Sequence, residues 1–310
     1  MAITHFKGVS GIDGLYTGSK GYEVQMFGNE VAGKRYYVDG NYGSDSNNGS
    51  SWERPYKTLA VAMAASHANI ASGAKGWAAR NRIYFKADGS VEDLTKLARK
   101  TDVIGIGSTD WKVRPALYGN HVVDATTPYT GCRFINILFR GAAVTGGDIF
   151  TLTGQHGVEF HNCEFLATGS TTDATAAIVS TAGVALTVND CVFKGEFGDA
   201  VIEVAAGQAD DLVITDNLIQ GANMGIDISG SASFQTGKYG LIKDNVFRTT
   251  LACINDGESK SYVVGNRGST EAASGSGLAG AIVCNIKLAQ DNRFSTSDAN
   301  NIEYPALGSI

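Results

Sequence analysis

The chain has 310 residues, a formal net charge of −6 and 43% hydrophobic residues. This charge disfavours a nucleic-acid partner, which needs clustered Lys and Arg, and the absence of a run of 18 or more apolar residues excludes a predicted membrane-spanning helix. The 39 Gly and 4 Pro residues suit a sheet protein with many tight corners, because Pro removes a hydrogen-bond donor from a strand.

Residues 1–33 are rich in Gly with interspersed aromatic residues and do not fit the pattern that follows. They lack the basic-then-apolar profile of a secretory signal. Two interpretations stay open for them: a partly ordered leader, or a segment that becomes ordered on attachment to a larger assembly.

Residues 34–70 predict a strand at Arg35–Asp39, a turn-rich loop at 43–51, and an Ala-rich helix over about 56–70. In the loop, Asp45, Asn47 and Asn48 carry oxygen atoms of the kind that bind calcium. The spacing and the closing Glu of an EF-hand are missing, so turn formation is the favoured role for these residues.

Seven short segments between residues 132 and 294 then share one pattern, in which alternating apolar residues precede and follow a turn residue. The turn residues are Asn136, Asn162, Asp190, Asp216, Asp244, Gly265 and Asp291, at steps of 26, 28, 26, 28, 21 and 26. A period of this length indicates stacked supersecondary units, and the short β-branched runs indicate strands. The pattern predicts a parallel β-helix with at least three strands per coil. Because the first coil of such a solenoid would expose its core, the helix over 56–70 is predicted to be its cap.

Side chains at equivalent positions predict three ladders along this solenoid. Directly after the turn residue come Cys163 and Cys191, and then a predicted asparagine ladder of Asn217, Asn245, Asn266 and Asn292. Two places further an inward stack is predicted at Phe139, Phe165, Phe193, Ile219, Phe247 and Phe294. A third, apolar ladder is predicted at Ile149, Ile178, Ile202, Ile226, Ile254 and Ile282. Buried free thiols are favoured over a disulfide for Cys163 and Cys191, since the chain shows no secretory signal.

The succession YYVDGNYGSDSNNGSSWERPYKTLAVAM, followed by the strand Ile83-Tyr84-Phe85, resembles the opening of right-handed β-helix proteins of the pectate-lyase-like superfamily. That group includes bacteriophage tailspikes and virion proteins, and the resemblance covers about residues 35–295. It implies an all-β fold, a right-handed parallel β-helix with an N-terminal capping helix. The predicted organisation is a leader at 1–33, the β-helix at 34–295 and a tail at 296–310.

Candidate functional residues lie one place after each Ile of the third ladder, on the outward side. Glu203 and Asp227 fall on neighbouring coils, about 5 Å apart by strand spacing, and Asp199, Asn223, Asn255 and Asp256 are expected nearby. Two such carboxylates suit a retaining glycosidase, a shared proton or a calcium ion, the only cofactor that the pattern supports. The alternative is a solvated acidic patch. A lyase would also need a basic residue, and Lys243, Arg248, Arg267 and Arg293 are predicted to lie on other faces.

Two further groups of residues are predicted to point outward. Phe150, Val179, Val201 and Val283 form an apolar stripe that predicts lateral packing of subunits, or else scattered surface residues. Glu159 and His161 lie two places apart on one strand and therefore share a face; such a pair suits acid–base chemistry but is more often a surface contact.

The resemblance implies a bacteriophage virion structural protein, of the tailspike, fibre or capsid-decoration type. We expect from it a homotrimer assembled in the host cytoplasm, bound to other virion proteins through residues 1–33 and exposed to host surface glycans. The alternative is a polysaccharide-degrading enzyme, either a pectate-lyase-like lyase or a glycoside hydrolase, that uses Glu203 and Asp227.

Overall fold

A computed structural model describes residues 33–71, 79–107, 114–123, 131–141, 147–167, 174–181, 183, 185–208, 210–228, 232–233, 240–256, 261–270, 282–283, 288–290 and 293–296. Nearly all of the predicted leader and tail therefore lie outside the described residues.

The described chain contains one helix, α1 (Leu59–Ala71), and 25 strands. In chain order the strands are β1 (Arg35–Asp39), β2 (Asn81–Lys86), β3 (Asp88–Val91), β4 (Thr101–Gly105), β5 (Ala116–Tyr118), β6 (His121–Val123), β7 (Cys132–Ile135), β8 (Leu138–Arg140), β9 (Phe150–Thr153), β10 (Glu159–His161), β11 (Glu164–Leu166), β12 (Ile178–Thr181), β13 (Thr187–Asn189), β14 (Val192–Lys194), β15 (Phe197–Gln208), β16 (Val213–Thr215), β17 (Leu218–Ile228), β18 (Ala232–Ser233), β19 (Gly240–Lys243), β20 (Val246–Asp256), β21 (Ser261–Val264), β22 (Arg267–Thr270), β23 (Ile282–Val283), β24 (Leu288–Gln290) and β25 (Arg293–Thr296).

The strands form two sheets that run along the same solenoid. A ten-stranded sheet has the order β1-β2-β4-β7-β10-β13-β16-β19-β21-β24, so each coil adds one strand to it. The other 15 strands form the second sheet, in which β5, β8, β11 and β14 follow the turn residue and β6, β9 and β12 complete the coil. In β17 and β20 the strand that follows the turn residue and the strand that completes the coil are one continuous strand. All pairings between coils are parallel, for example Phe160 with Phe134 and Val188, so the predicted parallel β-helix is confirmed.

Turn residues in the left-handed conformation close the corner between the two sheets. The backbone φ is 58° at Asn136, 48° at Asn162, 54° at Asp190, 59° at Asp216 and 54° at Asp244. Gly265 takes the same place with φ 68°. Asn, Asp and Gly adopt this conformation more readily than other residues, which explains the sequence period.

An asparagine ladder follows the corner, as predicted. Asn217 Nδ2 donates to Asn245 Oδ1 at 2.8 Å, and Asn245 Nδ2 donates to Asn266 Oδ1 at 2.9 Å. The same oxygens accept the backbone N–H groups of Asn217 and Asn245, both at 3.0 Å. Asn292 lies outside the described residues.

Stacked aromatic rings fill the first coils. The ring centroids of Phe139 and Phe165 are 5.2 Å apart, and those of Phe165 and Phe193 are 4.8 Å apart at 10°. Phe193 pairs in register with Ile219, which pairs with Phe247. Phe294 continues the register through its backbone pairing with Gly268. This spacing is the strand spacing itself, so one ring per coil packs without a gap.

The third ladder is displaced by one residue in its first coil. Ile178, Ile202, Ile226, Ile254 and Ile282 pair as predicted, but Phe150, not Ile149, is the partner of Ile178. The predicted outward position of Phe150 is therefore wrong: its side chain is fully buried among Phe134, Phe139 and Phe160. Two consecutive residues are buried where this strand begins, so alternation does not fix the register there.

Val201 is also fully buried, and its predicted outward position is wrong for the same reason. Val201 directly precedes Ile202, as Ala177 directly precedes Ile178 in the preceding coil. Ala177 is buried as well, and its N–H donates to the carbonyl of Val201 at 3.0 Å. Ile149 occupies this place one coil earlier and is fully buried as well.

The helix α1 packs against β1 and β2 at the start of the solenoid, the place predicted for the cap. It begins at Leu59, directly after Thr58, whose hydroxyl accepts the N–H of Val61 at 3.4 Å. Glu92 fixes its first turn, where Leu59 N–H donates to Oε1 at 2.9 Å and Ala60 N–H donates to Oε2 at 2.8 Å. A carboxylate at a helix N-terminus satisfies donors that have no partner within the helix. Where the structure describes the chain, it contains no helix long and apolar enough to cross a membrane.

The polar residues of the loop before α1 hold the loop closed with hydrogen bonds. Asp45 Oδ1 accepts the N–H groups of Lys57 and Thr58 at 3.0 and 2.9 Å, and Asp45 Oδ2 accepts the Thr58 hydroxyl at 3.1 Å. Asn47 Nδ2 donates to the carbonyl of Pro55 at 2.8 Å, and Asn48 Oδ1 accepts the N–H of Ser50 at 3.0 Å. The contacts of Asp45 and Asn47 tie the loop to the segment that leads into α1, and that of Asn48 closes a local turn.

Candidate functional site

Four carboxylates lie near one another on the outer side of the second sheet, and we call this surface the acidic face. Its members are Asp148, Asp199, Glu203 and Asp227. Glu203 on β15 and Asp227 on β17 are direct register partners in adjacent parallel strands. Their neighbours Ile202 and Ile226 point into the core, so the alternation of a strand turns both carboxylates outward. The predicted proximity of Glu203 and Asp227 is therefore present.

The other two carboxylates lie within the start of β15 and just before β9. Asp199 is exposed near the start of β15, and its N–H donates to the carbonyl of Thr175 at 2.9 Å. Asp148 directly precedes the buried pair of Ile149 and Phe150 and accepts the Thr151 hydroxyl at 2.9 Å. Asp148 is not among the residues predicted from the sequence; the register of Phe150 with Ile178 is the signal that places it here.

Amide side chains border the acidic face. Asn255 on β20 pairs in register with Asp227, and its Nδ2 donates to Asp227 Oδ1 at 2.7 Å. Asn223 Nδ2 donates to the carbonyl of Gly198 at 2.7 Å, which places Asn223 beside the coil of Asp199. Asp256 is the register partner of Ile228, and so its backbone lies one place beyond the row of Glu203, Asp227 and Asn255.

Burial and mutual repulsion shift the acidity of these groups in one direction. Burial first, and then the carboxylates of Asp199, Asp227 and Asp148, raise the pKa of Glu203. Burial also raises the pKa of Asp227; the hydrogen bond from Asn255 opposes this shift, and Asp199 adds to it. The pKa of Asp148 is raised mainly by burial, against the opposing hydrogen bond from Thr151. Perturbed carboxyls gathered on one surface are a feature of functional sites, although structural clusters also show it.

A calcium ion held by these carboxylates was another expectation from the sequence. Within the described ranges, no group of three or more His, Cys, Asp or Glu side chains is arranged to hold a metal ion.

The predicted pair of Glu159 and His161 forms a second polar cluster, on the outer side of the ten-stranded sheet. Glu159 Oε2 lies 2.8 Å from His161 Nε2, and Glu159 Oε1 lies 3.0 Å from Arg133 Nε on the adjacent strand. Burial raises the pKa of Glu159, but the hydrogen bonds from His161 and Arg133 and their charges outweigh it, so the net shift is downward. A carboxylate held between two donors is a structural contact, and this one lies on the ten-stranded sheet, whereas Glu203 lies on the second sheet.

The apolar stripe predicted for subunit packing is not formed as such. Phe150 and Val201 are in the core, and Val179 is only 8% exposed beside Glu203 in register. The backbone of Val283 pairs with Asn255, and its side chain lies outside the described residues. The four described cysteines, Cys132, Cys163, Cys191 and Cys253, are buried free thiols.

The strand pairings and the helix packed against the first strands define the class of this protein as a parallel β-helix. No family model and no curated protein matches the chain. Solved structures similar to it include a rhamnogalacturonan lyase, 12% identical with a TM-score of 0.41, over 88% of this chain and 89% of that one. The pectate lyase Pel9A is 15% identical with a TM-score of 0.35, over 86% and 77%. A GH136 lacto-N-biosidase from Eubacterium ramulus is 8% identical with a TM-score of 0.34, over 85% and 67%. These similarities concern the fold alone.

Proposed function

We propose that the protein is a polysaccharide-degrading enzyme, a glycoside hydrolase that acts at the acidic face through Glu203 and Asp227. One observation carries the proposal: these two carboxylates are register partners on adjacent strands, partly buried, and surrounded by further carboxylates that raise the pKa of both. Glycosidases use a pair of carboxyl groups, one held protonated and one ionised.

The environments of the two groups differ, and the difference assigns their roles. All charges that act on Glu203 are carboxylates, and burial works in the same direction, so Glu203 keeps its proton to a higher pH. Asp227 accepts a hydrogen bond from Asn255 at 2.7 Å, which favours its ionised form. Glu203 is therefore the proton donor, and Asp227 is the carboxylate that meets the sugar.

Strand spacing predicts the stereochemical outcome. Register partners in a sheet are about 4.8 Å apart, close to the separation of about 5–5.5 Å in retaining enzymes. In the first step Asp227 forms a bond to the anomeric carbon, the glycosidic C–O bond breaks, and Glu203 gives its proton to the departing oxygen. In the second step Glu203 accepts a proton from a water molecule, and the water oxygen bonds to the anomeric carbon. The bond between that carbon and Asp227 breaks, so Asp227 is again ionised and Glu203 again protonated.

A lyase is the weaker form of the proposal. β-Elimination from a uronic acid needs a basic residue and a positive charge near the sugar carboxylate, whereas the charges that act on Glu203 are those of Asp199, Asp227 and Asp148. Such a surface repels acidic sugars. We therefore expect the glycan cleaved at the acidic face to be neutral.

The test is release of reducing ends from a panel of neutral and acidic polysaccharides by the full chain. Glu203→Gln and Asp227→Asn should each lower the rate by about a hundredfold or more, while their circular dichroism spectra stay unchanged. Glu196→Gln is the matched control, because Glu196 is exposed in the bend between β14 and β15. Equal rates for the two variants and the wild type would refute the assignment, and release of unsaturated ends would identify a lyase.

A trimeric structural role on a bacteriophage particle is the second candidate. The observation that favours it is exposed apolar surface on the second sheet: Val91 is 78% exposed, and Val122, in register with Thr151, is 55% exposed. Apolar side chains on a sheet face favour contact with another subunit. Sedimentation equilibrium should then give three times the 32.5 kDa chain mass, and a monomer at micromolar concentration would exclude this candidate.

A further inference from the structure

Two cysteines precede the asparagine ladder at the same place of the coil. Cys163 and Cys191 each directly follow a corner residue, and the next residues, Glu164 and Val192, are register partners in β11 and β14. The Val192 N–H donates to the carbonyl of Cys163 at 2.9 Å, and the Cys163 N–H donates to Cys191 Sγ at 3.4 Å. The two side chains therefore lie side by side on neighbouring coils, and we call them the thiol pair.

The strand spacing suits a disulfide within the thiol pair. Residues at equivalent places of adjacent strands have Cα atoms about 4.8 Å apart, and a disulfide joins Cα atoms about 4.4–6.8 Å apart. The thiols of Cys163 and Cys191 are also hydrogen-bonded to each other. A bond between the two sulfur atoms therefore needs side-chain rotation at an unchanged strand spacing.

The other two cysteines that the structure describes have no cysteine beside them. Cys132 lies between Thr101 and Val158 in the register of the ten-stranded sheet. Cys253 lies opposite Gly225 in the pairing of β20 with β17. Both are buried free thiols, as the thiol pair is, so they share its burial and lack its neighbour.

The two thiols of the pair differ in acidity. Burial raises the pKa of Cys191, and its hydrogen bond with Cys163 adds to this shift. Burial also acts on Cys163, but the hydrogen bonds that it accepts, first from Cys191, and the positive charge of Arg114 oppose it, and the net shift of its pKa is downward. Cys163 therefore ionises first, and it is the nucleophile of the pair, because the thiolate is the reactive form of cysteine.

The corner residues connect the thiol pair with solvent. Cys163 and Cys191 are 0% and 1% exposed, but Asp190, directly before Cys191, is exposed, and Asn162 is half-buried. A small movement of one corner therefore admits a molecule of about the size of water. Hydrogen peroxide has this size, whereas a bulky oxidant does not.

We propose that the thiol pair forms a reversible disulfide, which staples two neighbouring coils when a peroxide oxidises the protein. The Cys163 thiolate attacks one oxygen of hydrogen peroxide, the O–O bond breaks, and Cys163 becomes a sulfenic acid. The other oxygen leaves as hydroxide and takes up the proton that Cys163 had released. Cys191 sulfur then attacks Cys163 sulfur, the S–O bond breaks, and the Cys191 proton leaves with the hydroxyl group as water. Two thiols and one peroxide thus give one disulfide and two water molecules.

The staple continues the asparagine ladder with a covalent bond. Asn217 Oδ1 accepts the N–H of Cys191 at 2.9 Å, so the disulfide begins where the amide contacts end. It joins residues 28 positions apart, and a cross-link over such a loop stabilises a protein mainly by restricting its unfolded chain. The thiol pair lies at the corner and not on the acidic face, so the proposal stands whether or not Glu203 and Asp227 cleave a glycan.

The experiment treats the full chain with hydrogen peroxide and counts its thiols in denaturant. Every protein carries Cys284→Ser, because Cys284 lies outside the described residues, and this leaves the four described cysteines. Oxidation should consume two of the four thiols, lower the mass by two hydrogen atoms and raise the melting temperature by about 5 °C or more. Dithiothreitol should reverse all three changes.

Peptide mapping locates the bond. Residues 141–194 form one tryptic peptide that contains both cysteines, because no Lys or Arg lies between Arg140 and Lys194. Cleavage after Glu164 then separates Cys163 from Cys191. After oxidation these two fragments should stay joined until dithiothreitol is added.

Cys191→Asn and Cys163→Ala each remove one partner, and neither variant should form a disulfide or melt higher after peroxide. Cys253→Ala is the matched control, since it removes a buried thiol outside the pair and should still lose two thiols. The proposal is overturned if the thiols of the folded wild type survive peroxide that oxidises them in urea. It is also overturned if Cys163 gains two oxygen atoms without a cross-link, if the bond involves Cys132 or Cys253, or if the oxidised protein melts no higher than the reduced one.

Discussion

The asparagine ladder and the acidic face are built in the same way and have opposite energetics. Each places one polar side chain per coil in direct register with the next. In the ladder the amide of Asn245 both accepts from Asn217 and donates to Asn266, so each coil satisfies its neighbours. In the acidic face Glu203 and Asp227 are both acceptors when ionised, and neither satisfies the other. Burial first, and then neighbouring carboxylates, raise the pKa of both groups.

This difference shows what a repeating register does to a side chain. An in-register stack multiplies whatever contact the side chain makes with a copy of itself. Amides gain from this, because they carry donor and acceptor together, whereas carboxylates lose. The ladder therefore stabilises the fold, whereas the acidic side chains are kept close together by the fold. Groups kept under repulsion by the fold are candidates for chemistry.

Asn245→Asp should break the comparison most strongly, since it puts a carboxylate into the ladder. Asn245 Nδ2 donates to the carbonyl of Ile214 and to Asn266 Oδ1, both at 2.9 Å. Aspartate loses these donors and places a buried charge against two acceptors, which should cost about 3–5 kcal/mol of unfolding free energy. Asn245→Ala removes the contacts without a charge and should cost about 1–3 kcal/mol. Urea unfolding measures both.

Asn48→Asp is the control for this substitution. Asn48 is exposed, and its Oδ1 accepts from Ser50, a role that aspartate keeps. Its unfolding free energy should change by less than about 0.5 kcal/mol. If Asn245→Asp were no worse than Asn245→Ala, the donor role of the amide in the ladder would be wrong.

His121 is a buried polar residue outside the asparagine ladder, and it tests what burial does without such a stack. It is fully buried between Phe139 and Phe150, its Nδ1 accepts the N–H of Leu94 at 3.1 Å, and burial lowers its pKa to about 3. The unfolded chain binds this proton near the ordinary value of 6.5, so stability falls as the pH drops through the interval between the two values. From about pH 7 to pH 4 the loss should be about 3 kcal/mol.

The variant His121→Gln keeps an acceptor but cannot titrate. It should therefore lose about 3 kcal/mol less unfolding free energy on acidification than the wild type does, although it should be less stable than the wild type at neutral pH. The measurement is urea unfolding at several pH values. His156, whose pKa is lowered less because it is less buried, gives the comparison through His156→Gln. The same acid slope in wild type and His121→Gln would contradict the assignment.

Cys191→Asn should extend the ladder by one coil. Cys191 Sγ now accepts the N–H of Cys163 at 3.4 Å and lies 3.5 Å from the carbonyl of Phe160, while its own N–H donates to Asn217 Oδ1 at 2.9 Å. An amide replaces weak sulfur contacts with ordinary hydrogen bonds, so we expect a gain of about 1 kcal/mol in unfolding free energy. Cys253→Asn, at a buried position outside the ladder, should instead destabilise the chain. A loss of stability in Cys191→Asn would show that the place is too small for an amide.

The sequence was sufficient for those parts of the molecule that repeat with one turn residue per coil. The positions of the corner residues and of Asn217, Asn245 and Asn266 follow from the left-handed backbone and from amide chemistry, and both are local properties. The register predicted for Phe150 was wrong because two consecutive residues are buried where its strand begins. That one-residue error moved Phe150 to the wrong side and hid Asp148, which belongs to the acidic face.

The smallest expected effect is the most direct test of repulsion in the acidic face. Burial and three neighbouring carboxylates raise the pKa of Glu203 in the folded chain, so the folded state binds this proton more tightly than the unfolded state does. The ionised group therefore costs stability above its ordinary pKa, and the cost disappears as the pH falls below it. Glu203→Gln should raise the unfolding free energy by about 0.5 kcal/mol near pH 7, a value kept small by solvent screening.

The same variant should show no gain near pH 4, where the carboxyl of the wild type is mostly protonated. Asp227→Asn should gain less than Glu203→Gln, because it also changes the acceptor of the Asn255 hydrogen bond. Glu196→Gln should change stability little at either pH. A gain in Glu203→Gln that persisted at pH 4 would come from packing and not from charge, and the acidic face would then differ from the asparagine ladder in shape alone.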